Sequence, residues 1–398
     1  MSHPEQLYQW EQTIAQHLPS LSKPQSRCLA LWTLGMVLAG ACGLSAVASV
    51  LALLHEQSYN TVRQRLREFY KEAPKKAGKH RQELCVQACF APLLAWVMSW
   101  WQASQIALAL DATTLGDRYV VLTISVLYRG CAVPVAWRIL PANVKQSWRP
   151  EWLGLLHLLY AALPREVRVL VLADRGLYAR WLFGRIVRLG WHPLLRINAR
   201  GSFRPEGEGF RPLSSFVATV GSRFSGRGTA FTTHNAQIEC TLVAFYGEGY
   251  EDPWLLLTDL PAEASDACWY GLRTWIEQGF KFLKRAGWQW QATRMTDPSR
   301  VERFWLALSV ATLWVLSEGA FADPSVLEGT FAAVPVVGER TRSGFVGVGI
   351  FRLGRLCLLV HFLTQKTPPP PAFVPEPWPS SPPPRAGPKQ SKGNKGRR

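Results

Sequence analysis

Between residues 27 and 72 the apolar positions recur at helical spacing, and from residue 106 onward they gather into short β-type runs. The first region predicts one helix over about 27–41, a turn at Ala41-Cys42-Gly43, a second helix over about 45–56, and a third from Ser58 through SYNTVRQRLREFYK. In the second region IALALDATTL reads as a strand ending at an acid. RYVVLTISVLYRG and AVPVAWRIL read as a hairpin divided at Arg129-Gly130. A helix over about 150–162, the buried strand VRVLVLADRG, a helix over about 178–189 and the strand PLLRIN follow. Residues 199–253 break this alternation with Gly, Arg, Thr and aromatic residues, and WLLLTDLP closes them. The chain then reads as helical from about 286 to 320.

These elements predict an α/β chain. Three strands, helix, strand, helix, strand is the order of a ribonuclease H-like domain, a mixed sheet with helices on both faces. It would span 101–325 and carry a β-rich insertion at about 199–258. Ahead of it, residues 1–100 read as an all-α domain. Its order of helix, Gly-bearing turn, helix and Arg-rich helix is that of a helix-turn-helix DNA reader. A helical segment is expected over 326–365, with a role in dimerisation. From Lys366 to Arg398 the Pro-rich chain carries seven Lys/Arg and one Glu, a composition expected to stay disordered.

Charge sharpens the picture. The 398 residues carry a formal net charge of +17, which favours a polyanionic partner. Residues 63–81 alone hold eight Lys/Arg against two Glu, so Arg63, Arg65 and Arg67 are candidate DNA contacts. The eight cysteines are scattered through apolar stretches without a CxxC pair, as expected of reduced thiols rather than a zinc site. The start, MSHPEQLYQWEQ, is too polar for a signal peptide. Cys28 to Leu54 is uncharged and long enough to span a bilayer, yet Gly35, Gly40 and Gly43 interrupt it, so two packed helices are expected instead.

The chemistry gathers on three acids. Asp111 and Asp174 each follow a buried strand, and adjacent parallel strands would put their carboxylates side by side. Two such charges repel unless cations neutralise them, and hard oxygen ligands select Mg2+ or Mn2+. In YGLRTWIEQGFKFLK, continuous helical winding would place Tyr270, Arg273, Glu277, Lys281 and Lys284 within roughly 80° of one face. Glu277 is then the natural third carboxylate of a two-metal site for phosphodiester chemistry, with the cations holding DNA phosphates.

These residues resemble a known family. Tyr270, Arg273, Glu277 and Lys284 match the Tyr-x2-Arg-x3-Glu-x6-Lys signature of a group of bacterial insertion-sequence transposases of the Asp-Asp-Glu class. Asp111-Ala112-Thr113, Asp174-Arg175-Gly176 and Pro253-Trp254 also match the family's style. The resemblance covers about 105–320. It implies cut-and-paste DNA transposition through a hairpin intermediate, in the cytoplasm, by a homodimer holding two element ends. It implies DNA contacts by Tyr270, Arg273 and Lys284, and a flipped base stacked on Trp254, for which core packing is the alternative; Lys281 and Arg175 are further candidate DNA contacts. A structure-specific nuclease of the same fold, or a catalytically silent DNA-binding remnant, stays open.

Overall fold

In a computed structural model, residues 4–78, 81–144, 147–322, 339–340, 346–347, 349–366, 368 and 373–381 are described. The chain forms two compact units. The first is Met1–Val169 with Arg273–Glu376, and the second is Leu170–Leu272 with the chain from Pro377.

The first unit begins with helices α1 (Pro4–His17), α2 (Lys23–Ala39), α3 (Leu44–Leu54), α4 (Tyr59–Glu68) and α5 (Phe90–Ser99). At the start of α2 the Gln25 side chain accepts from the Ser22 N–H at 2.9 Å, one half of a capping box. Gly40 ends α2 at φ +62°, where a side chain would be strained. The uncharged run is therefore two helices bent by 96°. Among the described residues no single helix is long and apolar enough to cross a membrane. The two helices cross closely at Gly35, where an added Cβ would lie 2.5 Å from Val47. Helix α4 buries Val62 and Leu66, and the Trp32 indole N–H donates to the Leu66 carbonyl at 3.0 Å.

Strands β1 (Gln105–Leu115), β2 (Tyr119–Tyr128) and β3 (Cys131–Pro141) form an antiparallel meander, with turns at Gly116 and at Arg129-Gly130. β2 is buried along its whole length, so both faces of the meander are covered. Asp111 does not end β1, contrary to the reading from pattern. It pairs with Thr123, and the β-forming residues Thr113, Thr114 and Leu115 carry the strand onward. Helix α6 (Arg149–Tyr160) follows. Later in the chain come α8 (Thr274–Lys281), α9 (Pro298–Ala322) and α10 (Ile350–Leu363). Every residue of α9 from Val301 to Ala320 is buried. There Glu302 accepts from the Ile139 N–H at 3.0 Å and pairs with Arg138 at 2.9 Å.

The expected helical segment 326–365 lies partly outside the described residues, and α10 falls at its end. Most of the Pro-rich tail also lies outside them. Where it is described, it is not uniformly free of the fold. The Phe373 side chain is fully buried against Trp100, Trp101 and Tyr128. Its backbone donates to Trp100 O at 2.8 Å and accepts from Gln102 N at 3.1 Å. A single large apolar side chain outweighs the local composition here.

In the second unit the strand order is β4 (Arg168–Ala173), β5 (His192–Arg196), β10 (Trp254–Thr258), β9 (Ile238–Phe245), β8 (Arg223–Ala230), β6 (Ser202–Pro205) and β7 (Arg211–Pro212). β4 and β5 are parallel, and the crossover between them holds α7 (Arg180–Arg188). The pairings from β5 through β10 to β7 are antiparallel, so the sheet is mixed. The Gly- and Arg-rich stretch is thus β-rich.

Candidate active site

Within β1 the side chains alternate faces, so Ala109, Asp111 and Thr113 share one side. The segment around Glu277 approaches that side. It is not one continuous α-helix. A 3-10 turn over Ala267–Arg273 leads into α8, and a π-helical turn over Phe282–Ala286 follows it. α8 packs its Ile276 inward and lies so close to β3 that an added Cβ at Gly279 would stand 2.9 Å from the Ala132 Cβ.

This docking brings three of the expected residues together. Arg273 reaches both Asp111 and Glu277, the two candidate acids in the first unit. One terminal nitrogen donates to Asp111 Oδ2 at 2.9 Å and the other to Glu277 Oε1 at 2.6 Å. The Arg273 and Asp111 side chains are 14% and 13% exposed, whereas Glu277 is 60% exposed. Asp111 Oδ1 also accepts from its neighbour's Ala112 N–H at 2.8 Å. Lys284 joins from the π-helical turn. Its ammonium donates to Thr113 Oγ1 at 2.7 Å and to Thr114 O at 2.8 Å. Burial, with Arg285 adding to it, lowers the Lys284 pKa from its ordinary value. Lys284 thus ties the turn after α8 to the strand that carries Asp111. Lys281 is exposed.

The other candidates are placed as follows. Arg63, Arg65 and Arg67 lie half-buried on α4, and Arg65 donates to Gln57 at 3.2 Å. In the second unit Asp174 directly follows β4, and its Oδ1 accepts from the Gly176 and Leu177 N–H groups at 2.9 and 3.2 Å. This Asx-type turn fixes the carboxylate's orientation. Arg175 is exposed and pairs with Asp252 at 3.0 Å. Trp254 and Tyr270 do not face solvent. They are 3% and 4% exposed, and their rings pack edge to face at 5.2 Å. Tyr250 and Phe245 complete the cluster around Trp254. Tyr270 therefore leaves the polar stripe, because its ring has an apolar cluster to enter.

Sequence reasoning missed Thr113 and Thr114 as the seat of Lys284, and Gly279 as the point of close approach. The period-two alternation with Asp111 was a usable signal for Thr113. Two carboxylates converging on one cation supply hard oxygen donors of the kind a divalent ion takes, and at present the guanidinium stands at their meeting point. Among the described residues no three His, Cys, Asp or Glu side chains gather closely enough to hold a metal ion.

No curated protein matches the chain. Residues 153–314 match the family model described as Transposase DDE domain, a span that holds Asp174, Arg273, Glu277 and Lys284 and supports a place for this chain among DDE transposases.

Proposed function

We propose that this chain cleaves DNA at the ends of an insertion sequence and joins the freed 3′ ends to target DNA, with Asp111, Asp174 and Glu277 as the acids that hold Mg2+ or Mn2+. The observation that carries the reading is the convergence of Asp111 and Glu277 on one cation, with Lys284 fixing their strand and helix together. The order of β1–β3, α6, β4, α7 and β5 supports a ribonuclease H-like catalytic core. Bound divalent ions would supply an activated water and neutralise the scissile phosphate. The chain's own residues would do the rest. Arg273 and Lys281 would contact phosphates, and the Lys284 tie would keep Glu277 in register with Asp111. The basic α4 segment would add sequence-independent DNA affinity that weakens with salt. The homodimer is part of this reading, and the exposed Leu356, Val360 and Leu363 on one side of α10 offer a surface for it.

Asp111→Asn and Glu277→Gln test the assignment. Each should abolish Mg2+-dependent nicking of an element-end duplex while leaving duplex binding intact. Near-wild-type nicking by either variant would refute the assignment. A strand-transfer assay on the wild type separates a transposase from a nuclease that only cuts.

A further inference from the structure

We propose that Arg273 is a latch on the metal-holding acids: its guanidinium keeps Asp111 and Glu277 paired with a protein cation until a DNA phosphate draws it away. The proposal rests on the reading of those two residues as metal-holding acids.

The geometry is specific. A guanidinium is a planar fork whose two terminal nitrogens can serve different acceptors. Here one serves Asp111 Oδ2 at 2.9 Å and the other serves Glu277 Oε1 at 2.6 Å. These are charge-assisted bonds, the stronger class. The Asp111 arm is mostly buried, so salt screens it little. The Glu277 arm is exposed and therefore the weaker one.

A divalent cation needs the same carboxylate oxygens. It cannot share them with a guanidinium without placing like charges in contact. Metal entry and the Arg273 bridge therefore compete. The competitor best able to remove Arg273 is a phosphodiester, because phosphate matches the guanidinium fork as well as carboxylate does. Lys284 has a different task. Its bonds to Thr113 and Thr114 hold β1 to the turn after α8 whether or not Arg273 has left. The acids thus stay near one another while their cation is exchanged. The consequence is an order of binding: DNA first, then tight metal. Without DNA the site is held in an ion-paired form, and metal-assisted hydrolysis is suppressed.

Manganese titration followed by the electron paramagnetic resonance of free Mn2+ tests this on the full chain. The samples are wild type, Arg273→Gln, Arg273→Lys and Asp111→Asn, each with and without a short duplex of arbitrary sequence. Asp111→Asn with duplex sets the background from Mn2+ held by DNA itself. Without DNA, Arg273→Gln should bind Mn2+ about ten- to a hundredfold more tightly than wild type, the gain expected from removing the mostly buried bond to Asp111, with the exposed Glu277 arm adding little. Duplex should bring the wild type close to Arg273→Gln and leave Arg273→Gln unchanged. Arg273→Lys keeps the charge but replaces the planar two-nitrogen fork with a single point charge, so it should fall between the two. It also supplies the test should the glutamine variant fold poorly. Equal or weaker Mn2+ binding by Arg273→Gln and Arg273→Lys, with the tight site still lost in Asp111→Asn, would overturn the latch and leave the acids as metal holders. Mn2+ binding indifferent to Asp111→Asn in every sample would overturn the metal reading and the latch with it.

Discussion

Replacing Glu318 by Gln should make the protein more resistant to alkaline pH. Glu318 sits on α9 with its side chain 1% exposed. Among the described residues its Oε1 has no hydrogen-bond partner, and His361 Nε2 on α10 lies 3.8 Å from Oε2. Burial pushes the carboxyl up to about 8, whereas an unfolded glutamate titrates near 4.3. The folded chain therefore binds this proton more tightly than the unfolded chain does. Stability from this group is complete below about pH 4, declines as pH rises, and levels off above about pH 8. At 1.36 kcal/mol per pH unit the loss between pH 5 and 8 is at most about 4 kcal/mol. For a large domain that corresponds to roughly 8 °C in melting temperature. Gln keeps the shape and cannot ionise, so this slope should vanish. His361 acts on the acid side. Burial, followed by Lys366, lowers its pKa, so folding loses stability as pH falls through about 6.5. That branch should survive in the variant. Cys357, pushed up to about 11 by burial with Glu318 adding to it, does not titrate in this window. The measurement is the difference in melting temperature between variant and wild type at pH 5, 6, 7 and 8. It should climb steadily with pH. A flat difference, or a variant less stable than wild type at pH 8, would refute the reasoning.

Two further outcomes concern buried aromatic side chains. Trp254→Ala should cost about 3–5 kcal/mol of stability and slow nicking and later steps together, because the ring packs among Phe245, Tyr250 and Tyr270; a selective loss of hairpin formation at unchanged melting temperature would instead assign it to a flipped base. Phe373→Ala should also cost about 3–5 kcal/mol, read as a drop in melting temperature, whereas an unchanged value would show that the Pro-rich segment leaves Trp100 and Tyr128 in solution.

The elements were legible because their patterns are local. Gly40 and Gly43 divided the uncharged run, Arg129-Gly130 marked its hairpin, and the apolar runs bounding Asp111 and Asp174 marked their strands. What escaped depended on partners distant in sequence. Helical spacing put Tyr270 on the polar stripe, but a phenol ring 16 residues from Trp254 joins the apolar cluster once β10 brings that cluster to it. The same spacing placed Arg273 beside Glu277, yet gave no hint that the guanidinium also reaches Asp111, 162 residues earlier. Composition misjudged Phe373 for a related reason. Proline content reports on regular backbone pairing, and one aromatic ring needs only a pocket.

The first unit is closed late. Its strand bearing Asp111 is synthesised well before Arg273 and Glu277, because Leu170–Leu272 of the second unit is translated between them. The Gln6 amide then bonds the carbonyls of His361 and Lys366, 355 and 360 residues downstream, and Phe373 seals Trp101 later still. Contacts of such long range are slow to form, and they cannot form on an emerging chain whose partner residues have yet to be made. A polypeptide interrupted during translation would therefore carry one acid of the pair and an open core. The pairing of Asp111 with Arg273 and Glu277 is in this way reserved for the completed molecule, and prematurely terminated products are left as substrates for proteolysis.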